Sequence, residues 1–196
     1  MNDDKDKKLE EIKKEVLICK KCSLYKTKHY PVIGKGNHSA KIVFCGEAPG
    51  YWEDQKGEPF IGRAGKILDE LLDSISLKRE DIYITNLLKC RPPENRDPSP
   101  LEIKSCTSYL ERQLDIIQPK IICSLGRLPA SFLMERFGFK DRIKPIGIIH
   151  GQLFEADGLF QGIKLLPLYH PAVATYNPAM KEVLKKDFQI LKKFIS

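Results

Sequence analysis

Cys19 and Cys22 bracket Lys20 and Lys21, so one tight turn offers two thiolates from a stretch too charged to bury them. Two further cysteines, Cys90 and Cys106, lie across a Pro-rich loop, and four soft ligands can meet at one centre. Thiolates select zinc or iron–sulfur clusters among cellular metals, and an all-cysteine set without a suitably spaced histidine suits either an all-cysteine zinc site or a [4Fe–4S] cluster. Many such zinc sites use two Cys-x2-Cys knuckles, so the wide spacing of the second pair leans the set toward a cluster. Taken alone, Cys90 and Cys106 also read as small hydrophobes, and Cys45 and Cys123, each inside an apolar run, are read that way. A carboxylate, an amide and an imidazole, on Glu47, Asn86 and His170, each stand just beyond an apolar run.

The elements that must position these groups follow from periodicity. Leu9, Ile12, Val16 and Leu17 predict a helix over residues about 5 to 18, ending at the Cys-x2-Cys turn. Lys41 to Gly46, Asp81 to Asn86, Lys120 to Ser124, Ile146 to Ala156 and Gly162 to Tyr169 read as strands. Helices are expected from Gly62 to Ser76 and from Arg127 to Phe137. Another starts after Ser99, where a capping Ser, Pro100 at the first helical position and Glu102 form a start signal, and runs to Ile117. A last helix after Asn177-Pro178 carries Leu184, Phe188, Leu191 and Ile195 in a stripe. Alternation of strand and helix predicts an α/β fold, a three-layer α/β/α sandwich around a mainly parallel central sheet, with residues 1–196 as a single domain. In such sheets ligands bind beyond the carboxyl ends of the strands, where Gly46-Glu47-Ala48-Pro49-Gly50, Asn86 to Arg91 and Tyr169-His170-Pro171-Ala172 fall.

Composition narrows the class. A chain of 196 residues with 42% hydrophobic content buries a sizeable core, which excludes disorder, collagen and a small disulfide scaffold. No run approaches the ~20 apolar residues of a membrane span and the N-terminus has no apolar signal core, so the expectation is a cytoplasmic protein, nucleoid-associated in a prokaryote, with reduced thiols and no membrane partner. The 33 Lys and Arg against 26 Asp and Glu leave a net charge of +7, a lean toward an anionic partner such as nucleic acid.

The segments Gly46-Glu47-Ala48-Pro49-Gly50, Pro59-Phe60-Ile61-Gly62-Arg63-Ala64-Gly65, Thr85-Asn86-Leu87-Leu88-Lys89-Cys90-Arg91-Pro92-Pro93 and Tyr169-His170-Pro171-Ala172 together resemble the motifs of the family 4 uracil-DNA glycosylases, the iron–sulfur members of their superfamily. The match is in the right order and runs from Cys19 to the last helix. It implies that Cys19, Cys22, Cys90 and Cys106 hold a [4Fe–4S] cluster with a structural role, and that the partner is uracil-containing DNA, single- or double-stranded, bound by a monomer. Glu47 stands where the best-known branch has an aspartate as its water-orienting group. The Arg91 to Pro100 loop lacks the histidine of relatives that become linked to DNA, so turnover is expected.

The resemblance assigns roles that chemistry supports. Uracil must be flipped out of the helix, and Phe60 resembles the residue that stacks on it. Asn86 can accept from uracil N3–H and donate to O4, a pairing that cytosine reverses. His170 is the donor to O2 as negative charge develops there, and Glu47 orients or deprotonates the attacking water. Ala48 lies in the uracil-binding motif. Arg63, Lys89, Arg91 and Arg96 are expected to hold DNA phosphates, and Tyr176 is favoured within Val173 to Tyr176 as the wedge into the duplex. Gly62 to Lys66 fails the spacing of a nucleotide P-loop. The competing readings are a non-catalytic iron–sulfur nucleic-acid-binding module and an electron-transfer protein, neither of which needs Glu47, Asn86 and His170 together.

Overall fold

The computed structural model describes residues 2–158 and 162–195. Six strands form one mixed sheet: β1 Lys35–Gly36, β2 Ile42–Gly46, β3 Tyr83–Asn86, β4 Ile121–Leu125, β5 Phe154–Glu155 and β6 Lys164–Leu168, in the order β1-β3-β2-β4-β6-β5. The central four are parallel, and the short edge strands β1 and β5 run antiparallel. Every residue of β2, β3 and β4 is buried, as expected of parallel strands covered on both faces.

Alternation along β2 splits its side chains between two cores. Val43 and Cys45 join Leu9, Ile12 and Val16 of α1 (Asn2–Leu17), Leu110 and Leu114 of α4 (Pro100–Ile117), and Leu133 and Met134 of α5 (Arg127–Arg136). Ile42 and Phe44 face the other way, onto Leu68, Leu71 and Leu72 of α3 (Arg63–Asp73) and Leu184 and Phe188 of α8 (Met180–Phe188). The rings of Phe44 and Phe188 stack at 5.6 Å. Helices on both faces of a mostly parallel sheet make the expected three-layer sandwich. Cys45 and Cys123 are fully buried core residues on opposite sides of it. The start signal of α4 forms as read: Ser99 Oγ accepts Glu102 N–H, and the Glu102 carboxylate accepts Ser99 N–H.

Three segments differ from the sequence expectation. Ile146–Ile149 is a helical turn, α6, and only Phe154–Glu155 of the expected strand pairs with the sheet. Pro145 fixes the backbone at the start of that turn, and the chain needs only a short excursion before pairing antiparallel with β6. Tyr51–Lys56 forms α2, with Glu53 and Asp54 in its first turn, where no helix was expected. Val173–Tyr176, the segment read as holding the wedge, forms a helical turn, α7.

The chain leaves β2 for β3 on one side and returns to β4 on the other, so the order reverses around β2. That is where an open α/β sheet leaves a crevice at its carboxyl edge. No helix among the described residues is long and apolar enough to cross a membrane.

Candidate functional site

A cavity of about 280 Å³ opens at this crevice, and its walls include Ala48, Phe60, Asn86 and His170. These come from four separate motifs. The parallel register sets Gly46 beside Asn86, so the ends of β2 and β3 deliver Ala48 and Asn86 to one wall. Phe60 and His170 are ring neighbours at 5.7 Å, inclined by 30°. Asn86 is 2% exposed, and its Oδ1 is the one buried side-chain oxygen or nitrogen among the described residues without a hydrogen-bond partner. Leaving such a group unpaired costs about 1–3 kcal/mol, which a ligand offering a donor would recover.

Glycines make the close approach possible. A Cβ on Gly46 would stand 2.3 Å from Asn86 Oδ1 and 2.7 Å from Phe60 Cζ, and one on Gly65 would stand 1.8 Å from the Phe60 carbonyl oxygen. Phe60 itself has φ of 53°, a left-handed conformation disfavoured for a bulky side chain. Arg79 offsets that strain. Its guanidinium donates to the carbonyls of Phe60 at 2.5 Å, Pro59 at 3.2 Å and Gly65 at 3.4 Å, while its Nε pairs with Asp69 at 2.5 Å. From the other side Glu53, on α2, accepts the N–H groups of Ile61 and Gly62 at 2.9 and 2.8 Å and also lines the cavity.

Sequence reading missed both Arg79 and Glu53. Gly50 followed by Glu53 and Asp54 is a start signal that could have revealed α2, but nothing in the local pattern around Arg79 points to a turn nineteen residues away. Since hydrogen bonds from a charged donor contribute about 1.5–3 kcal/mol, Arg79→Met is expected to lower kcat/KM for the reaction at this cavity roughly tenfold. Steady-state kinetics alongside a thermal melt check this, and a loss confined to stability would remove Arg79 from the site.

His170 Nδ1 accepts the N–H of Ala172 at 3.1 Å, so the neutral ring carries its proton on Nε2. Burial pushes its pKa down to about 4, although the nearby Glu53 pulls upward, and the ring is neutral at physiological pH. The preceding Tyr169 packs against His150 at 4.5 Å, and His150 Nδ1 meets Asp187 at 2.7 Å, which gives His150 a structural place. Glu47 lies beside this cavity rather than in it. It lines an adjoining open groove of about 230 Å³ that shares Ala48, Gly50, Asn95 and His170 with the cavity. Partial burial raises the Glu47 pKa, Asp97 raises it further, and Arg127 opposes them.

The basic residues separate. Arg63 is exposed at the start of α3, and Tyr176 is 88% exposed at the end of α7. Arg91 is half-buried; its Nε donates to Asn95 Oδ1 at 2.7 Å. Arg96 is engaged by Glu102 through both terminal nitrogens, at 2.9 and 2.8 Å, so it braces the start of α4. Lys89 is a correction to the sequence expectation. It is 1% exposed, with its ammonium bonded to Thr85 Oγ1, the Asn86 carbonyl and Gln113 Oε1 at 2.7, 2.9 and 2.7 Å. It cannot reach a phosphate; it holds the backbone beneath Asn86. The sequence shows Lys89 two residues before Arg91 and seven before Arg96 and cannot show which of them turns inward.

Cys19, Cys22, Cys90 and Cys106 line one small pocket between the turn after α1, the end of the β3 loop and α4. Among the described residues no three His, Cys, Asp or Glu side chains form a ready-made site for a single metal ion. The donor set nevertheless suits a thiolate-held centre. Burial raises the thiol pKa of Cys22, Cys106 and, to about 12, Cys90, so thiolates here need a compensating cation. A hydrogen-bond donor already faces one sulfur, Lys89 N–H to Cys106 Sγ at 3.2 Å. Such bonds are among those that tune iron–sulfur centres.

The model of the Uracil DNA glycosylase superfamily matches residues 33–192. The chain is 48% identical over 181 residues to the Type-4 uracil-DNA glycosylase of Archaeoglobus fulgidus, covering 92% of this chain and 90% of that protein. It is 46% identical over 189 residues to the Type-4 uracil-DNA glycosylase of Saccharolobus solfataricus, covering 96% of this chain and 87% of that one. The corresponding protein of Thermotoga maritima is 38% identical over 189 residues, with coverage of 95% and 94%.

Proposed function

Because the chain belongs to the type-4 uracil-DNA glycosylases and so excises uracil from DNA in repair, acting on an N-glycosyl bond, we propose that the cavity under Phe60 receives the flipped uracil and that the product is an abasic site. The observation that carries this is the unpartnered Asn86 amide oxygen, buried in a cavity whose facing rings are Phe60 and His170. Uracil presents N3–H beside O4, which pairs with an acceptor beside a donor on one amide; cytosine presents the reverse order and leaves both groups mispaired. Phe60 stacks on the base, and burial of the base offsets the few kcal/mol that unstacking costs.

Cleavage sends the bonding electrons from the sugar carbon into the uracil ring, and charge accumulates at O2. The His170 Nε2–H, preset by the Ala172 contact, donates there; a neutral donor suffices and needs no proton transfer. Glu47, in the groove on the far side of Ala48, accepts a proton from the water that attacks the sugar carbon, and its carboxylate favours the positive sugar. Arg63, exposed at the start of α3, and Arg91, half-buried beside Tyr51, are the basic side chains placed to hold flanking phosphates.

Cys19, Cys22, Cys90 and Cys106 are the residues that would hold a [4Fe–4S] cluster. Such a group, when bound, supplies a structural staple between α1, the Cys90 loop and α4, with no part in base removal. Anaerobically prepared protein is expected to be brown, and Cys106→Ser to lose that colour and melt earlier with uracil recognition otherwise unchanged in residual folded material. Stoichiometric zinc in place of iron would reject the cluster.

Free uracil measured after incubation with a uracil-containing oligonucleotide tests the reading. The strand should stay intact until heated in alkali. A borohydride-trapped protein–DNA adduct would instead indicate a lysine Schiff base and reject the single-step hydrolysis.

A further inference from the structure

α2 opens with two large aromatic side chains left in water: Tyr51 is 50% exposed and Trp52 58%. Their rings meet edge to face at 5.2 Å, and the Arg91 guanidinium lies 5.3 Å from the Tyr51 ring centroid. Adjacent aromatics exposed together are uncommon on a surface with no partner. Their place is specific. Gly50 just before them and Glu53 just after line the base cavity, and Gly50 also lines the adjoining groove. Trp52 Cδ1 stands 3.5 Å from where a Cβ on Gly62 would be, so the indole reaches the start of α3, next to exposed Arg63. The pair therefore sits on the cavity rim with a cation on either side.

We propose that Tyr51 and Trp52 form a stacking platform for unpaired bases flanking the flipped uracil, which makes single-stranded DNA a preferred form of substrate. This rests on the reading that uracil enters the neighbouring cavity. Charge complementarity names the occupant: a strand leaving that cavity carries a phosphate at each step past Arg63 and Arg91 and a base face to lay on each ring. Stacking of this kind tolerates any sequence, because every base has a π-face, and the cation over Tyr51 adds to it. In a duplex the bases cover one another, and the same faces are hidden.

Trp52 is the one tryptophan of the chain, so its fluorescence reads the platform directly. The test titrates the wild-type protein with a uracil-free oligothymidylate and with a uracil-free blunt duplex, with binding followed separately by anisotropy of labelled DNA. The single strand is expected to quench the emission, and the duplex to change it little. Trp52→Ala should weaken single-strand binding at least about fivefold, and Trp52→Phe should recover most of it. Unchanged emission at saturation with the single strand, or equal quenching by the duplex, overturns the proposal. The wild-type titration needs no variant to fold. Failure of the uracil-cavity reading would appear as no uracil release by wild-type protein, whereas failure of the platform leaves that release intact.

Discussion

Asn86→Ala is expected to lower uracil excision by at least about a hundredfold while leaving the fold intact. Loss of one preorganised polar contact to a reacting group typically costs about 10²–10³ in rate, and in the proposed reading Asn86 would make both contacts that tell uracil from cytosine. The structural setting predicts an unusual accompaniment. Asn86 Oδ1 is buried without a partner in the free protein, so truncating it removes an unsatisfied polar atom instead of a stabilising bond. The thermal midpoint of Asn86→Ala should therefore equal or exceed that of the wild type, while its single-turnover rate collapses. DNA affinity should change little, because phosphate contacts dominate it. Parallel loss of DNA binding, stability and rate would assign Asn86 to folding and remove it from recognition.

His170→Ala is expected to cost about 10²–10³ in kcat, the range found for a single donor to developing negative charge. The pH profile separates this role from general acid catalysis. His170 is held neutral down to about pH 4, so no inflection in kcat should appear near the ordinary histidine value of 6.5. Glu47 must be ionised to accept a proton, and its pKa is raised by burial and by Asp97. Activity should fall with decreasing pH through a limb above the usual carboxylate range. Glu47→Gln should flatten that limb, whereas His170→Gln should lower the plateau and leave the limb in place. A wild-type limb that disappears in His170→Gln would make His170 the titrating group and overturn this assignment.

The parallel strands and the long amphipathic helices were legible because each is written locally. Ile42 to Gly46 is an apolar run bounded by polar turns, and α4 carries its start signal in four consecutive residues. The region from Ile146 to Ala156 was misread because its apolar residues fit either a strand or a helix, and only the packing against β6 decides how few of them pair. Lys89 was misassigned for a related reason. Its neighbours Cys90 and Arg91 suggest an exposed, basic loop, yet Thr85, Asn86 and Gln113 together give a buried ammonium the acceptors it needs.

The sequence by itself determined the chemical groups and their order, with Glu47, Asn86 and His170 at strand ends, Phe60 in a Gly-rich turn and the four cysteines around a helix end and a Pro-rich loop. Their roles came from the family resemblance, since types and spacings alone also suit a zinc site or core packing. Only the tertiary structure decided which basic residues face solvent, that Glu47 lies beside the base cavity, and that Arg79 and Glu53 brace the left-handed Phe60 from either side. Those facts depend on contacts between residues far apart in the chain. A side chain's partner across the fold is set by the packing of whole elements, which no local pattern encodes.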